Sequence, residues 1–178
     1  NMQEVIDRLH RSYPEGFSAV GADALRFTLL SLNSEAQQVQ LSLNKFEEVG
    51  RRFVDKLWNV TRFVIGNLSA AHPGPVSGPA LEDQWILGRL DCTVESVRNG
   101  FETFRFDEAV STLYRFLWDD FCDWYVELSK PRLKGTPQDQ RRVHLTLAEV
   151  LGTALRLLHP IVPFVTEELW GHLHLAMT

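Results

Sequence analysis

Apolar residues recur at alternating steps of three and four along most of this sequence, and this spacing restricts its fold more than any other feature. Such a period places the apolar side chains on one face of an α-helix. Four long stretches follow it, over residues 46–64, 86–101, 110–128 and 143–157. No stretch alternates with period two over the length of a strand. The pattern predicts an all-α fold in which four long amphipathic helices form an antiparallel bundle.

The same spacing predicts which residues of the 110–128 helix face the core and where that helix begins and ends. The residues expected to face the core are Val110, Leu113, Leu117, Phe121, Trp124 and Leu128. Asp107 is expected to cap the start of this helix, and the stretch 130–142 is expected to end it. Thr136 and Pro137 are typical of the start of the next helix, because Thr accepts a capping hydrogen bond and Pro fits the first turn.

Two shorter helices are predicted before the bundle. The first follows from an amphipathic stretch near the N-terminus, and the second is expected to begin after Gly21. The expected apolar side of the second helix consists of Leu25, Leu29 and Leu32. Residues 34–42 are predicted to be a polar connection, and residues 70–80, rich in Pro and Gly, an exposed loop. We therefore divide the chain into a small helical segment over residues 1–40 and a bundle over residues 41–178.

Composition excludes several classes of protein. A chain of 178 residues, 44% of them hydrophobic, is long enough to form one compact domain. No apolar run approaches the roughly 20 residues that cross a bilayer, so no membrane partner is expected. The net charge of −5 argues against indiscriminate binding of nucleic acid but is compatible with a local basic patch. Cys92 and Cys122 are expected to be buried reduced thiols of a cytoplasmic protein, with a disulfide as the alternative.

Residues 118–130 concentrate aspartates, aromatics and a cysteine, as some active sites do. A carboxylate-bridged metal site in a bundle would need Glu-x-x-His pairs, which this sequence lacks. The acids around Cys122 would raise the pKa of its thiol and weaken it as a nucleophile. We expect the aspartates to form a solvated face or to pair with Arg89, Arg115 or Arg156, and the aromatics to fill the core. These aspartates are Asp119, Asp120 and Asp123. We assign no catalytic, metal-binding or cofactor-binding residue in this chain.

Two basic clusters stand out against the acidic background. The first lies on the 46–64 helix and consists of Arg51, Arg52, Lys56, Asn59 and Arg62. The second lies in the 130–142 connection and consists of Lys130, Arg132, Lys134, Arg141 and Arg142. Basic helix edges and loops suit phosphate contact, and aromatic side chains beside them suit stacking on unpaired bases. Trp85, just off the apolar stripe of its helix, is such an aromatic. Ordinary solvated basic faces are the alternative.

Four short motifs, taken in order, indicate a family. They are GADALRFTL, KLWNVTRFV, WDDFCDWYVELSKPRL and LLHPIVPFVTEELW. Over nearly the whole chain they resemble the C-terminal part of the bacterial-type valyl-tRNA synthetases, which are class I aminoacyl-tRNA synthetases. The last motif is shared with the synthetases for isoleucine and leucine, whereas WDDFCDWY is the valine-like version of its helix.

The resemblance implies that the bundle is an anticodon-binding domain and that the first helices belong to the stem-contact segment after the catalytic core. The implied partners are the anticodon loop of tRNA(Val), whose anticodons end in A and C, and the catalytic domain of the same monomeric chain. The family's HIGH, KMSKS and editing segments are absent from this sequence. The expectation is therefore a fragment of an enzyme, with ATP and Mg²⁺ as cofactors of the parent enzyme only.

The residues expected to bind the tRNA lie near the matching motifs. The first choices are Asn59, Arg62 and Trp85, and the second choices are Arg52, Lys56 and Arg89. Two alternatives stay open at this point. One is the anticodon domain of an isoleucyl- or leucyl-tRNA synthetase, and the other is a helical protein-interaction module without a role in RNA binding.

Overall fold

The computed structural model describes residues 2–14, 16, 19–32, 44–68, 76 and 78–177, and within them all regular structure is helical, which confirms the all-α prediction. The α-helices are α1 (Met2–Ser12), α2 (Ala22–Leu30), α3 (Arg52–Leu68), α4 (Leu81–Glu102), α5 (Phe106–Arg115), α6 (Val126–Leu133), α7 (Pro137–Leu158) and α8 (Pro163–Met177). Two π-helical segments are π1 (Phe46–Arg51), which leads into α3, and π2 (Phe116–Tyr125), which joins α5 to α6 in one continuous helix.

The long helices form an up-and-down bundle around one core. α4 and the α5–π2–α6 helix run antiparallel, so that Asp83 at the start of α4 contacts Tyr125 near the end of π2. α3 runs parallel to the same long helix. Phe53 stacks on Tyr114 with ring centroids 5.8 Å apart, and Lys56, later in α3, contacts Asp123, later in the long helix. The predicted stripes over residues 46–64, 86–101 and 143–157 are buried or packed against the core, as expected.

The stripe predicted for residues 110–128 is correct in its first part and wrong in its last. The buried members are Val110, Leu113, Leu117 and Phe121, but Trp124 is 62% exposed and Leu128 is also exposed. In a π-helix each N–H bonds to the carbonyl oxygen five residues earlier, so a turn contains more residues than in an α-helix. The buried face therefore advances in steps of four and continues at Tyr125, which is fully buried.

Two charged side chains fasten α2 to the turn between α7 and α8. Asp23 Oδ2 accepts a hydrogen bond of 2.6 Å from the backbone N–H of Val165. This N–H lies in the first turn of α8, where unpaired N–H groups favour a carboxylate. Arg26 donates to the carbonyl oxygens of Ile161 and Pro160, at 2.8 and 2.9 Å, just beyond the end of α7. The two helix ends of this turn are thus held by side chains of opposite charge.

The buried side of α2 differs from the predicted one. Leu25 and Leu29 are exposed, whereas Phe27 is fully buried and stacks on Phe53 with ring centroids 4.1 Å apart. A side chain at Gly50 would collide with the backbone of α2, so glycine is needed for this close approach. The face of α2 that meets π1 and α3 is buried, and the leucine side is not.

Two helix ends differ from the prediction and one agrees with it. α5 begins before Asp107, because Arg105 occupies the cap position. α6 continues through Pro131 to Leu133, past the predicted end at residue 130. Thr136 caps α7 as predicted, since its Oγ1 accepts a hydrogen bond of 3.2 Å from the N–H of Asp139.

Several predictions concern residues outside the described ranges. They are the polar connection over residues 34–42, the boundary near residue 40 and most of the loop over residues 70–80. The division into residues 1–40 and 41–178 therefore stays a prediction. The described members of the loop, residues 76 and 78–80, have no regular secondary structure, in agreement with the prediction.

Candidate nucleic-acid interface

The π2 segment is tied by ion pairs to both helices that carry predicted RNA-binding residues. Lys56 Nζ on α3 lies 2.7 Å from Asp123 Oδ1, and Arg89 Nε on α4 lies 2.8 Å from Asp120 Oδ2. The predicted pairing of an aspartate with Arg89 is confirmed, whereas Asp123 pairs with a lysine. The outer surface of π2 therefore forms a strip that bridges α3 and α4.

Lys56 and Arg89 both make contacts within the fold that stabilise this arrangement. The Lys56 ammonium also lies 4.5 Å from the centroid of the Trp118 ring, a cation–π contact. Arg89 uses its Nε for Asp120, and its side chain stays half exposed. Both predicted site residues are therefore already in ion pairs within the fold, and their role in RNA binding stays a prediction.

The other predicted residues of α3 are exposed. Arg52 and Asn59 lie one turn before and one turn after Lys56, on the side of α3 that faces π2. Arg62 lies on the outer side of α3 and is exposed. Neither Arg52 nor Arg62 forms an ion pair within the part of the chain that the structure describes. We call Arg52, Lys56, Asn59 and Arg62 the α3 edge.

On α4, Trp85 lies one turn before Arg89. Its side chain is 36% exposed, while its neighbour Ile86 is fully buried in the core. Because Arg89 reaches π2, the preceding turn of the same side of α4 also borders π2. Trp85 therefore presents part of its ring beside the strip.

Trp124 is the residue of this surface that the sequence reasoning missed. It follows Asp123, which pairs with α3, and lies four residues after Asp120, which pairs with α4. The strip thus carries a largely exposed tryptophan between the α3 edge and Trp85. A signal was available, since Leu117, Phe121 and Tyr125 form an apolar row in steps of four that excludes Trp124.

The environment of Cys122 does not support nucleophilic chemistry. Burial raises the pKa of the Cys122 thiol to about 12, with Asp123 adding to the rise and Lys56 opposing it. A thiol with such a pKa is protonated near neutral pH and is a poor nucleophile. Cys92 is exposed, contrary to the prediction of two buried thiols, and both cysteines are free. No group of three metal-ligating side chains occurs among the described residues.

One member of the second basic cluster, Arg132, belongs to a buried network around Asp83. This carboxylate accepts hydrogen bonds from Arg132 Nη1 and Nη2, at 2.7 and 2.9 Å, and from the Tyr125 hydroxyl at 2.7 Å. Burial alone would raise the pKa of Asp83, but these bonds and one from the Ala80 N–H outweigh it and hold the pKa below its usual value. Burial, followed by the contact with Asp83, raises the pKa of Tyr125. Arg132 therefore joins α6 to α4.

The remaining members of the second cluster lie around the turn from α6 to α7. Lys130 Nζ is 2.6 Å from Glu127 Oε1, one turn earlier on α6. Lys134 is exposed in the turn, and Arg141 and Arg142 are half-buried in the first turns of α7. This cluster is less available to a ligand than its sequence indicates.

Residues 83–177, just over half of the chain, match the protein family described as "Anticodon-binding domain of tRNA ligase". The chain belongs to this family. The matching region extends from the start of α4 to α8, so it contains Trp85, Arg89 and Trp124, whereas the α3 edge precedes it.

Valine–tRNA ligases of several bacteria are among the curated relatives of this chain. It is 45% identical over 177 residues to that of Neisseria gonorrhoeae and 46% identical over 156 residues to that of Thermotoga maritima. These alignments cover 94% and 88% of this chain, and the chain spans 18% of the length of each relative. The resemblance to valyl-tRNA synthetases is thereby confirmed. The isoleucyl, leucyl and protein-interaction alternatives are not favoured.

A solved structure shares the fold. It is the ternary complex of Agrobacterium radiobacter K84 agnB2 LeuRS with tRNA and LeuAMS, with a TM-score of 0.64 and 18% identity. The likeness covers 89% of this chain and 19% of that one, and at this identity it supports the fold alone. None of the helices in the described ranges is long and apolar enough to cross a membrane.

Proposed function

We propose that this chain is the anticodon-binding part of a valine–tRNA ligase and that it binds the anticodon loop of tRNA(Val). Two observations together carry the proposal. The chain matches the anticodon-binding family, and it is 45% identical to a valine–tRNA ligase over nearly its whole length. The exposed α3 edge and Trp85 supply side chains of the type that contacts single-stranded RNA.

In this proposal the α3 edge contacts the loop by charge and by hydrogen bonds. Arg52 and Arg62 are exposed cations suited to phosphate oxygens, and the Asn59 amide can both donate to and accept from a base edge. Trp85 offers its exposed ring to an unpaired base. Arg89 and Lys56 act as secondary contacts, because a cation in one ion pair keeps further N–H groups that can donate.

Valine attachment belongs to the rest of the proposed enzyme. Binding of valine, ATP and Mg²⁺ is assigned to segments outside this chain, and the catalytic domain of the same polypeptide is its proposed neighbour. The enzyme is proposed to act as a monomer in the cytoplasm. The contribution of this chain is to hold the anticodon loop in a fixed place, so that the tRNA is selected and oriented.

A competition experiment tests the proposed function. Labelled tRNA(Val) bound to this chain is displaced by unlabelled tRNA(Val), by tRNA(Ile) or by an unrelated tRNA. We expect tRNA(Val) to compete at the lowest concentration, and a tRNA(Val) with its A and C anticodon bases exchanged to compete poorly. Equal competition by all four RNAs, or no binding of tRNA(Val), would contradict the proposal.

Two substitutions test the assigned residues. Arg62→Ala and Trp85→Ala should each weaken binding of a valine anticodon stem-loop while the helical circular dichroism stays unchanged, because both side chains are exposed. Lys134→Ala, an exposed cation of the α6–α7 turn, is the matched control and should bind as the wild type does. Wild-type affinity in both test variants would show the site assignment to be wrong.

A further inference from the structure

The strip between α3 and α4 carries a tryptophan that the fold does not use. Trp124 is 62% exposed, although it lies in a helix whose neighbouring aromatics, Phe121 and Tyr125, are fully buried. A large aromatic ring in this position presents apolar surface that a ligand can cover.

The ion pairs on both sides of Trp124 hold its backbone in place. Asp123 is bound to Lys56 of α3 and Asp120 to Arg89 of α4. The next acid along the helix, Glu127, is bound to Lys130. Three acids that would otherwise repel a phosphate chain are therefore each paired with a cation.

The surroundings of Trp124 fit a nucleic-acid strand. A groove of about 340 Å³ lies between α4 and π2, beyond the Asp120–Arg89 pair, and contains Arg89, Arg115 and the hydroxyl groups of Thr93, Ser96 and Thr112. Arginine and hydroxyl groups are the side chains that contact phosphates and sugars. Asp119 also lines this groove, so its charge is mixed. Proteins that bind single strands combine such a groove with exposed aromatic rings on which bases stack.

We propose that Trp124 is a second stacking residue, on which an unpaired base of the bound RNA loop lies, between the α3 edge and Trp85. The inference rests on the proposed function, because it takes the RNA loop as the ligand. The backbone of the loop then passes toward Arg115 along the groove between α4 and π2. In this arrangement the WDDFCDWY stretch contributes to binding through its outer face while its inner face builds the core.

The test compares Trp124→Ala and Trp124→Phe with the wild type in binding to a valine anticodon stem-loop. Loss of a stacked base costs about 5- to 150-fold in affinity, the equivalent of 1–3 kcal/mol. We expect Trp124→Ala to lose affinity in this range and Trp124→Phe to recover most of it, because the phenyl ring still stacks. Phe164→Ala is the matched control, since Phe164 is also an exposed aromatic but lies at the start of α8.

The outcomes separate this inference from the proposed function. Wild-type affinity in Trp124→Ala, together with weakened binding in Arg62→Ala, would overturn the stacking role and leave the proposed function in place. Failure of the wild type to bind the stem-loop would overturn both. If Trp124→Ala binds RNA normally but no longer associates with the catalytic portion of the enzyme, the strip is a protein-docking surface and the stacking role is wrong.

Discussion

The α3 edge and the outer face of π2 are adjacent surfaces with different physical character. The α3 edge lies on a regular α-helix and exposes cations, among them Arg52 and Arg62. The outer face of π2 has Asp120 and Asp123 bound in ion pairs and exposes an aromatic ring, Trp124. The first surface is suited to phosphates through charge, and the second to bases through stacking. Proteins that bind single-stranded RNA combine both kinds of contact, and the bundle places them side by side.

The two surfaces also differ in how they relate to the sequence. On α3 the three-and-four spacing gives the buried face correctly, and so the exposed cations follow from it. On π2 the same spacing assigns Trp124 to the core, because it assumes an α-helical turn. A change in helix type thus rotates an aromatic residue from the interior to the surface.

The largest expected effect tests this rotation through stability. Phe121→Ala should lower the free energy of unfolding by about 3–5 kcal/mol, because the ring is fully buried and its removal leaves a cavity. Trp124→Ala should change it by about 0.5 kcal/mol or less, as expected for an exposed side chain. Urea denaturation monitored by circular dichroism measures both. Comparable losses in the two variants would mean that π2 does not turn Trp124 outward.

The network around Asp83 supports only the second of the two surfaces, because it joins α4 to the end of the π2–α6 helix and does not involve α3. Breaking a buried ion pair by removal of one partner costs about 3–5 kcal/mol. We expect Asp83→Asn to lower the free energy of unfolding in this range at neutral pH, since the neutral amide no longer balances the charge of Arg132 and keeps only one of the two acceptor oxygens. Glu82→Gln is the control. Its contact with Arg132 is longer, at 3.1 Å, and partly exposed, so a much smaller loss is expected.

The same network predicts a dependence on pH. Because the pKa of Asp83 is lower in the folded than in the unfolded chain, its stabilising effect is complete above the unfolded-state value of about 3.9. The effect is lost as pH falls through the folded-state pKa. The difference in stability between wild type and Asp83→Asn should therefore be constant from pH 5 to 7 and shrink in more acidic solution. A difference that grows as the pH falls would show that Asp83 is not held ionised by the network.

Much of the fold could be predicted from the sequence. The parts that could not be predicted have one physical cause in common. The stripes of α3, α4 and α7 and the Thr136 cap depend on local spacing, and they were predicted correctly. The contacts of Asp23 and Arg26 with the α7–α8 turn join residues far apart in the chain, so no local pattern indicates them. The exposure of Leu25 has the same cause, because it depends on which helices pack against α2.

The candidate site likewise contains residues that could be predicted from the local sequence and residues that could not. Asn59, Arg62 and Trp85 could be proposed from position and residue type, and the structure finds all three exposed. The ion pair that occupies Lys56 could not, because it depends on the placement of Asp123 by π2. Trp124 was missed for the same reason.

The most direct test of the division between the two surfaces is the salt dependence of RNA binding. The affinity of the valine anticodon stem-loop is measured over a range of salt concentrations for wild type, Arg62→Ala and Trp124→Ala. Each phosphate contact on a single strand contributes about 0.7 to the slope of log affinity against log salt. We predict that Arg62→Ala reduces the slope by about this amount, while Trp124→Ala lowers affinity at every salt concentration and leaves the slope unchanged. A Trp124→Ala slope reduced as much as that of Arg62→Ala would contradict the assignment of stacking to one surface and charge to the other.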